Sequence, residues 1–123
     1  MVAIRERDLK ITVSAYLQYK MNAGELYYDR LNSGEVVVMA GQSRRRIKLC
    51  VEGTADFVVL QKTLLWDGVH ATRIPACRTI FLELKSAKGR QTPEQGAFQK
   101  LVEMQGASYF IIHSFEQLQE IIP

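Results

Sequence analysis

The sequence predicts an α/β domain with one mixed central β-sheet flanked by helices. Three observations point there. The elements read in the order helix, several strands, helix, strand, helix, the pattern of helices packed on a single sheet. The 123 residues are one domain's worth of chain, so residues 1–123 are expected to form a single unit. Hydrophobic residues make up 47% and charged residues 24%, enough for a buried core and unlike a disordered chain. No apolar run reaches the roughly 18 residues of a membrane helix, and the first eight residues turn charged at once, unlike a secretory leader. Cys50 and Cys77 are too few for a disulfide framework and read as small buried hydrophobes. A cytoplasmic protein without membrane association is the expectation.

Each element has its own signal. Leu9, Val13, Tyr16 and Leu17 recur on one helical face, and Gly24 can end that helix. Leu26–Leu31 reads as a short strand and Asn32-Ser33-Gly34 as a turn. Glu35–Met39, with three consecutive valines, is a strand by its β-branched content, followed by a Gly41-Gln42-Ser43 turn. From Arg44 to Val51, Ile47, Leu49 and Val51 alternate with Arg46, Lys48 and Cys50, which predicts a half-buried strand with a basic outer face. Phe57-Val58-Val59-Leu60 is all apolar, as in a strand covered on both faces. Gln61–Arg78 holds Trp66, an Asp67-Gly68 turn and Pro75, and reads as an extended hairpin or a loop. Thr79–Lys85 is a strand with Ile80, Leu82 and Leu84 on one face. Thr92-Pro93-Glu94-Gln95 opens a helix, since Thr92 caps, Pro93 suits the first position and Gln95 completes a capping box; Gly106 closes it. Tyr109–Ile112 is a strand, and Ser114 caps a short helix reaching Ile121.

Four residues carry chemistry: Asp56, Glu83, Lys85 and Gln95. Glu83 and Lys85 share one strand face. Asp56 precedes an apolar strand and lies near Glu83 if that strand pairs with Thr79–Lys85. Two close carboxylates favour an intervening cation. Mg²⁺ accepts one or two carboxylates plus substrate phosphate, so Asp56, Glu83 and the Leu84 carbonyl would form a half-shell. A metal there polarises a scissile phosphate, and Lys85 steadies the developing charge or orients the water. In-line phosphodiester hydrolysis fits this set. Each residue also has a plainer reading: Glu83 and Lys85 as a solvated strand face, Gln95 as a cap partner, and Asp56 as a turn residue.

The chain resembles the VRR-NUC domain, a branch of the PD-(D/E)XK nucleases. The segments that carry the likeness are the helix ending near Tyr16-Leu17, Arg30-Leu31-Asn32-Ser33-Gly34, and Gly53-Thr54-Ala55-Asp56-Phe57. They continue with Phe81-Leu82-Glu83-Leu84-Lys85, Gly89-Arg90-Gln91-Thr92-Pro93-Glu94-Gln95, and Gly106-Ala107 before Tyr109–Ile112. The likeness runs from about residue 6 to the end of the sequence. It implies a restriction-endonuclease-like fold and an Mg²⁺- or Mn²⁺-dependent DNA endonuclease of stand-alone phage or bacterial type, with a place in DNA repair. Asp56 and Glu83 would bind the metal, Lys85 would be the catalytic lysine, and Gln95 would help arrange the site. An acid on the first helix, Glu6 or Asp8, would complete it. The likeness further implies a homodimer acting on branched, Holliday-junction-like DNA. A nicking or flap endonuclease and a non-catalytic DNA-binding subunit are the alternatives.

Charge is compatible with a nucleic-acid partner: 16 Lys and Arg stand against 13 acids. Arg44, Arg45, Arg46 and Lys48 cluster on one strand, while Arg73, Arg78, Lys88 and Arg90 are expected around the site. No segment reads as a base-reading helix, so DNA shape rather than base sequence is the expected target.

Overall fold

The computed structural model describes residues 5–31, 34–70 and 72–123. The turn expected at Asn32-Ser33 and the first four residues lie outside them. The elements are α1 (Glu6–Asn22), β1 (Tyr27–Arg30), β2 (Glu35–Ala40), β3 (Ser43–Lys48), β4 (Phe57–Trp66), β5 (Arg73–Leu84), α2 (Pro93–Met104), β6 (Ser108–Ile112) and α3 (Phe115–Ile121). The central sheet is mixed and four-stranded, in the order β1-β4-β5-β6. β1 and β5 run antiparallel to β4, and β6 runs parallel to β5 after the α2 crossover. Among the described residues no helix is long and apolar enough to cross a membrane.

One face of the sheet carries the core. Phe57, Val59, Ile80, Leu82, Leu84 and Ile112 are fully buried against Leu9, Val13 and Leu17 of α1 and Leu118 of α3. The stripe on α1 is the one its spacing predicts. Tyr16 ties the two helices together. Its hydroxyl donates to the Ile122 carbonyl, and its ring meets Phe115 edge to face at 5.2 Å. The opposite face is covered by α2, where Phe98 packs edge to face on Phe81 at 5.2 Å and lies close to Tyr109. This layer is thinner, because α2 contributes no fully buried residue and leaves Leu101 and Met104 exposed.

Three expectations are corrected. The sheet is not single: β2 and β3 form a separate two-stranded ribbon that packs on no other helix or strand among the described residues. Arg44–Val51 is therefore not half-buried. Every residue of β2 and β3 is exposed, because the alternation that predicts a covered face has no second layer to cover it. Of the two readings of Gln61–Arg78 the extended hairpin holds: β4 and β5 pair without interruption out to Trp66 opposite Arg73, closed by the Asp67-Gly68 turn. In that turn Asp67 accepts from the amides of Val69 and His70. Leu60 and Cys77 are exposed rather than buried, since both lie where this hairpin begins to leave the body.

Candidate active site

The end of the sheet where β4 begins and β5 ends gathers residues from α1, β5 and α2. Phe57 pairs with Leu82, so Asp56, one step earlier, falls beside Glu83. The Leu84 amide donates to Asp56 Oδ2 at 2.7 Å and fixes that carboxylate. Glu83 faces the α2 layer and is only 4% exposed. Lys85 continues on the same face, with its Nζ 3.6 Å from Glu83 Oε1. Its amide donates to the Ile112 carbonyl at 2.9 Å, which extends the β5–β6 pairing and holds the lysine in line.

Gln95 serves two purposes. Its backbone amide donates to Thr92 Oγ1 and its Oε1 accepts from the Thr92 amide, the reciprocal capping box. Its Nε2 donates to Glu83 Oε1 at 2.9 Å. The capping box and the contact with Glu83 coexist in this residue: the cap orients the amide that then grips Glu83. The approach of α2 to this end depends on Gly53, which has φ +90°, and a Cβ there would lie 2.3 Å from the Glu94 carbonyl oxygen. Gly53→Ala is expected to lower stability by at least the ~1–3 kcal/mol of a strained backbone, read as a shift of the urea midpoint.

Electrostatics single out Glu83. Burial, then the neighbouring charge of Asp56, push its carboxyl up to about 7, against a smaller opposing pull from Lys85. Its Oε1 is engaged by Gln95 and Lys85, whereas Oε2 is buried without a hydrogen-bond partner. A buried carboxylate oxygen left unpaired beside a second carboxylate is a costly arrangement that a cation relieves. Oxygen donors of this kind suit Mg²⁺ or Mn²⁺, so the residues fit the expected metal. Among the described residues no cluster of three or more His, Cys, Asp or Glu forms a metal cage. The candidate donors are the pair Asp56 and Glu83, and one or two carboxylates are what a magnesium ion uses when substrate phosphate completes its shell.

The two candidate acids of α1 separate cleanly. Glu6 lies on the site side, linked to it through Lys10, whose Nζ is 3.8 Å from Glu6 Oε1 and 3.1 Å from Asp56 Oδ1. Asp8 points elsewhere and pairs with Arg5 at 3.0 Å. Lys10 escaped the sequence reading; its only signal was the i, i+4 spacing from Glu6.

The expected basic surface divides. Gly89 packs against Lys85, so the loop bearing the exposed Lys88 and Arg90 borders the site. Arg44, Arg45, Arg46 and Lys48 sit on the detached ribbon. Arg73 is not at the site. It pairs with Trp66 at the far end of the hairpin, ten residues from Glu83, or about 33 Å along a strand. Arg78 lies about 17 Å away on the same count.

Comparison with known protein families, curated proteins and solved structures finds no match.

Proposed function

We propose that this chain is a divalent-metal-dependent endonuclease with a restriction-endonuclease-like fold, hydrolysing phosphodiester bonds in DNA. The observation that carries the reading is the buried Glu83, its Oε2 unpartnered, held between Asp56, Lys85 and Gln95. In this reading Asp56 and Glu83, with the Leu84 carbonyl, hold Mg²⁺ or Mn²⁺. When bound, the ion supplies charge neutralisation at the scissile phosphate and a more acidic water. Gln95 keeps Glu83 oriented, and the Leu84 amide keeps Asp56 oriented. Lys85 places its ammonium beside the carboxylates, where it can steady charge growing on a phosphate oxygen. Glu6 is the α1 acid that this arrangement favours.

A homodimer acting on branched DNA is part of the proposal. It is supported by the apolar surface that the β4–β5 hairpin leaves exposed: Leu64, Leu65, Trp66, Val69 and Ile74. A two-fold pair of sites would match the near-two-fold symmetry of a four-way junction.

The test is cutting of labelled four-way junction, flap and linear duplex with Mg²⁺, Mn²⁺ or EDTA, beside Asp56→Ala. The expected result is metal-dependent cutting that Asp56→Ala abolishes, with the junction cut fastest. Cutting that survives in EDTA or in Asp56→Ala sinks the site. Sedimentation equilibrium that returns a monomer at micromolar concentration removes the dimer.

A further inference from the structure

Beside the carboxylate pair lies a cavity of about 680 Å³, lined by Glu6, Arg7, Lys10, Ile11 and Ser14 of α1 and by Arg30 at the end of β1. Three of the six lining side chains are cations and one is an acid. Lys10 is shared between Glu6 and Asp56. Among the described residues, the guanidinium groups of Arg7 and Arg30 have no ion-pair partner. Two uncompensated arginines facing one cleft form an anion site, since guanidinium is suited to phosphate oxygens.

The cleft is continuous with the site already described. Lys10 reaches Asp56 at 3.1 Å. On the other wall, the amide of Leu31, the neighbour of Arg30, donates to the Asp56 carbonyl at 2.8 Å. An anion between Arg7 and Arg30 would therefore lie next to whatever occupies Asp56 and Glu83. Among the described residues the lining contains no aromatic ring on which a base could stack, so the feature recognised is the phosphate and not the base.

We propose that this cleft is a phosphodiester-binding groove in which Arg7 and Arg30 grip a backbone phosphate of a DNA strand flanking the bond to be cut. The inference rests on the nuclease reading for its choice of ligand. It adds two residues, from α1 and β1, that neither the charge clusters nor the carboxylate set includes.

Binding is measured without cutting, by fluorescence anisotropy of a labelled duplex in EDTA across a salt series. Wild type is compared with Arg7→Gln, Arg30→Gln, the corresponding lysine variants, and Lys62→Gln on the exposed hairpin as control. Each glutamine variant is expected to bind several-fold more weakly and to lower the log–log salt slope by about 0.9, one phosphate contact. The lysine variants keep the slope, and Lys62→Gln changes nothing. Wild-type slopes in both glutamine variants overturn the proposal, as does a wild-type chain that does not bind duplex. Inorganic phosphate that binds through Arg7 and Arg30 as tightly as duplex also overturns it, because the ligand is then a free anion. The two readings fail separately. Arginine-dependent binding by a chain that never cuts leaves the groove and removes the nuclease; metal-dependent cutting with unchanged salt slopes does the reverse.

Discussion

Lys85→Ala is expected to lower the single-turnover rate of DNA cutting about 10²–10³-fold, the usual loss when one preorganised positive group at a reacting centre is removed. The lysine is nearly buried, with a side-chain exposure of 13%, and sits 3.6 Å from Glu83. It lies one residue past the end of β5, with its backbone amide held by the Ile112 carbonyl, so truncation of the side chain should leave the fold intact. A second readout separates chemistry from packing. The Lys85 charge pulls the Glu83 carboxyl down against burial and Asp56. Its removal raises that group further, so the acidic limb of the pH–rate profile moves to higher pH. Lys85→Arg keeps the charge and should keep the limb while still cutting slowly. A Lys85→Ala protein cutting at the wild-type rate removes the catalytic assignment.

Glu83→Gln is expected to make the chain more stable at pH 8 while abolishing cutting. The Glu83 carboxyl stands at about 7 in the folded chain, above its ordinary 4.5. Between those values the folded state holds a proton that the unfolded state has released. Stability therefore falls as pH rises through this window, and the loss is complete above pH 7. The displacement sets an upper bound of about 3 kcal/mol. The amide variant removes the ionised form, and its Oε1 can still accept from Gln95. The urea midpoints of wild type and variant should agree near pH 4.5 and diverge towards pH 8. Mg²⁺ should raise the thermal midpoint of the wild type at pH 8 and leave the variant unmoved. Parallel pH profiles for the two proteins would show that Glu83 is not strained by its charge.

The site was legible wherever strand periodicity and register decide position. Glu83 and Lys85 share a face because strand side chains alternate. Asp56 meets Glu83 because Phe57 pairs with Leu82. Gln95 was legible as a cap, and the cap points its amide at Glu83. What the pattern could not convey was whether a face finds a partner. Arg44–Val51 alternates like a covered strand, but alternation records side-chain direction and not the presence of a second layer. Pro75 and the Asp67-Gly68 turn interrupt the sequence pattern of residues 61–78. Yet Pro75 occupies an exposed hairpin position opposite Leu64, where the ladder tolerates it. That Lys10, Arg7 and Arg30 line one cleft was not legible, because their meeting depends on how α1 lies beside β1, a tertiary relation with no local signature.

The detached ribbon has a consequence for self-association. Val37, Val38 and Met39 are exposed, β-prone and, among the described residues, covered by no second layer, a segment that invites edge-to-edge pairing with another copy. Each has an arginine directly across the strand pair: Arg46 opposite Val37, Arg45 opposite Val38 and Arg44 opposite Met39. Two such ribbons approaching each other bring their arginines together before their valines can zip. The same charges that would meet DNA thus act as gatekeepers against aggregation. Neutralising them would first appear as lost solubility at low salt, where the arginines of the unaltered chain repel unscreened, with the folded body untouched.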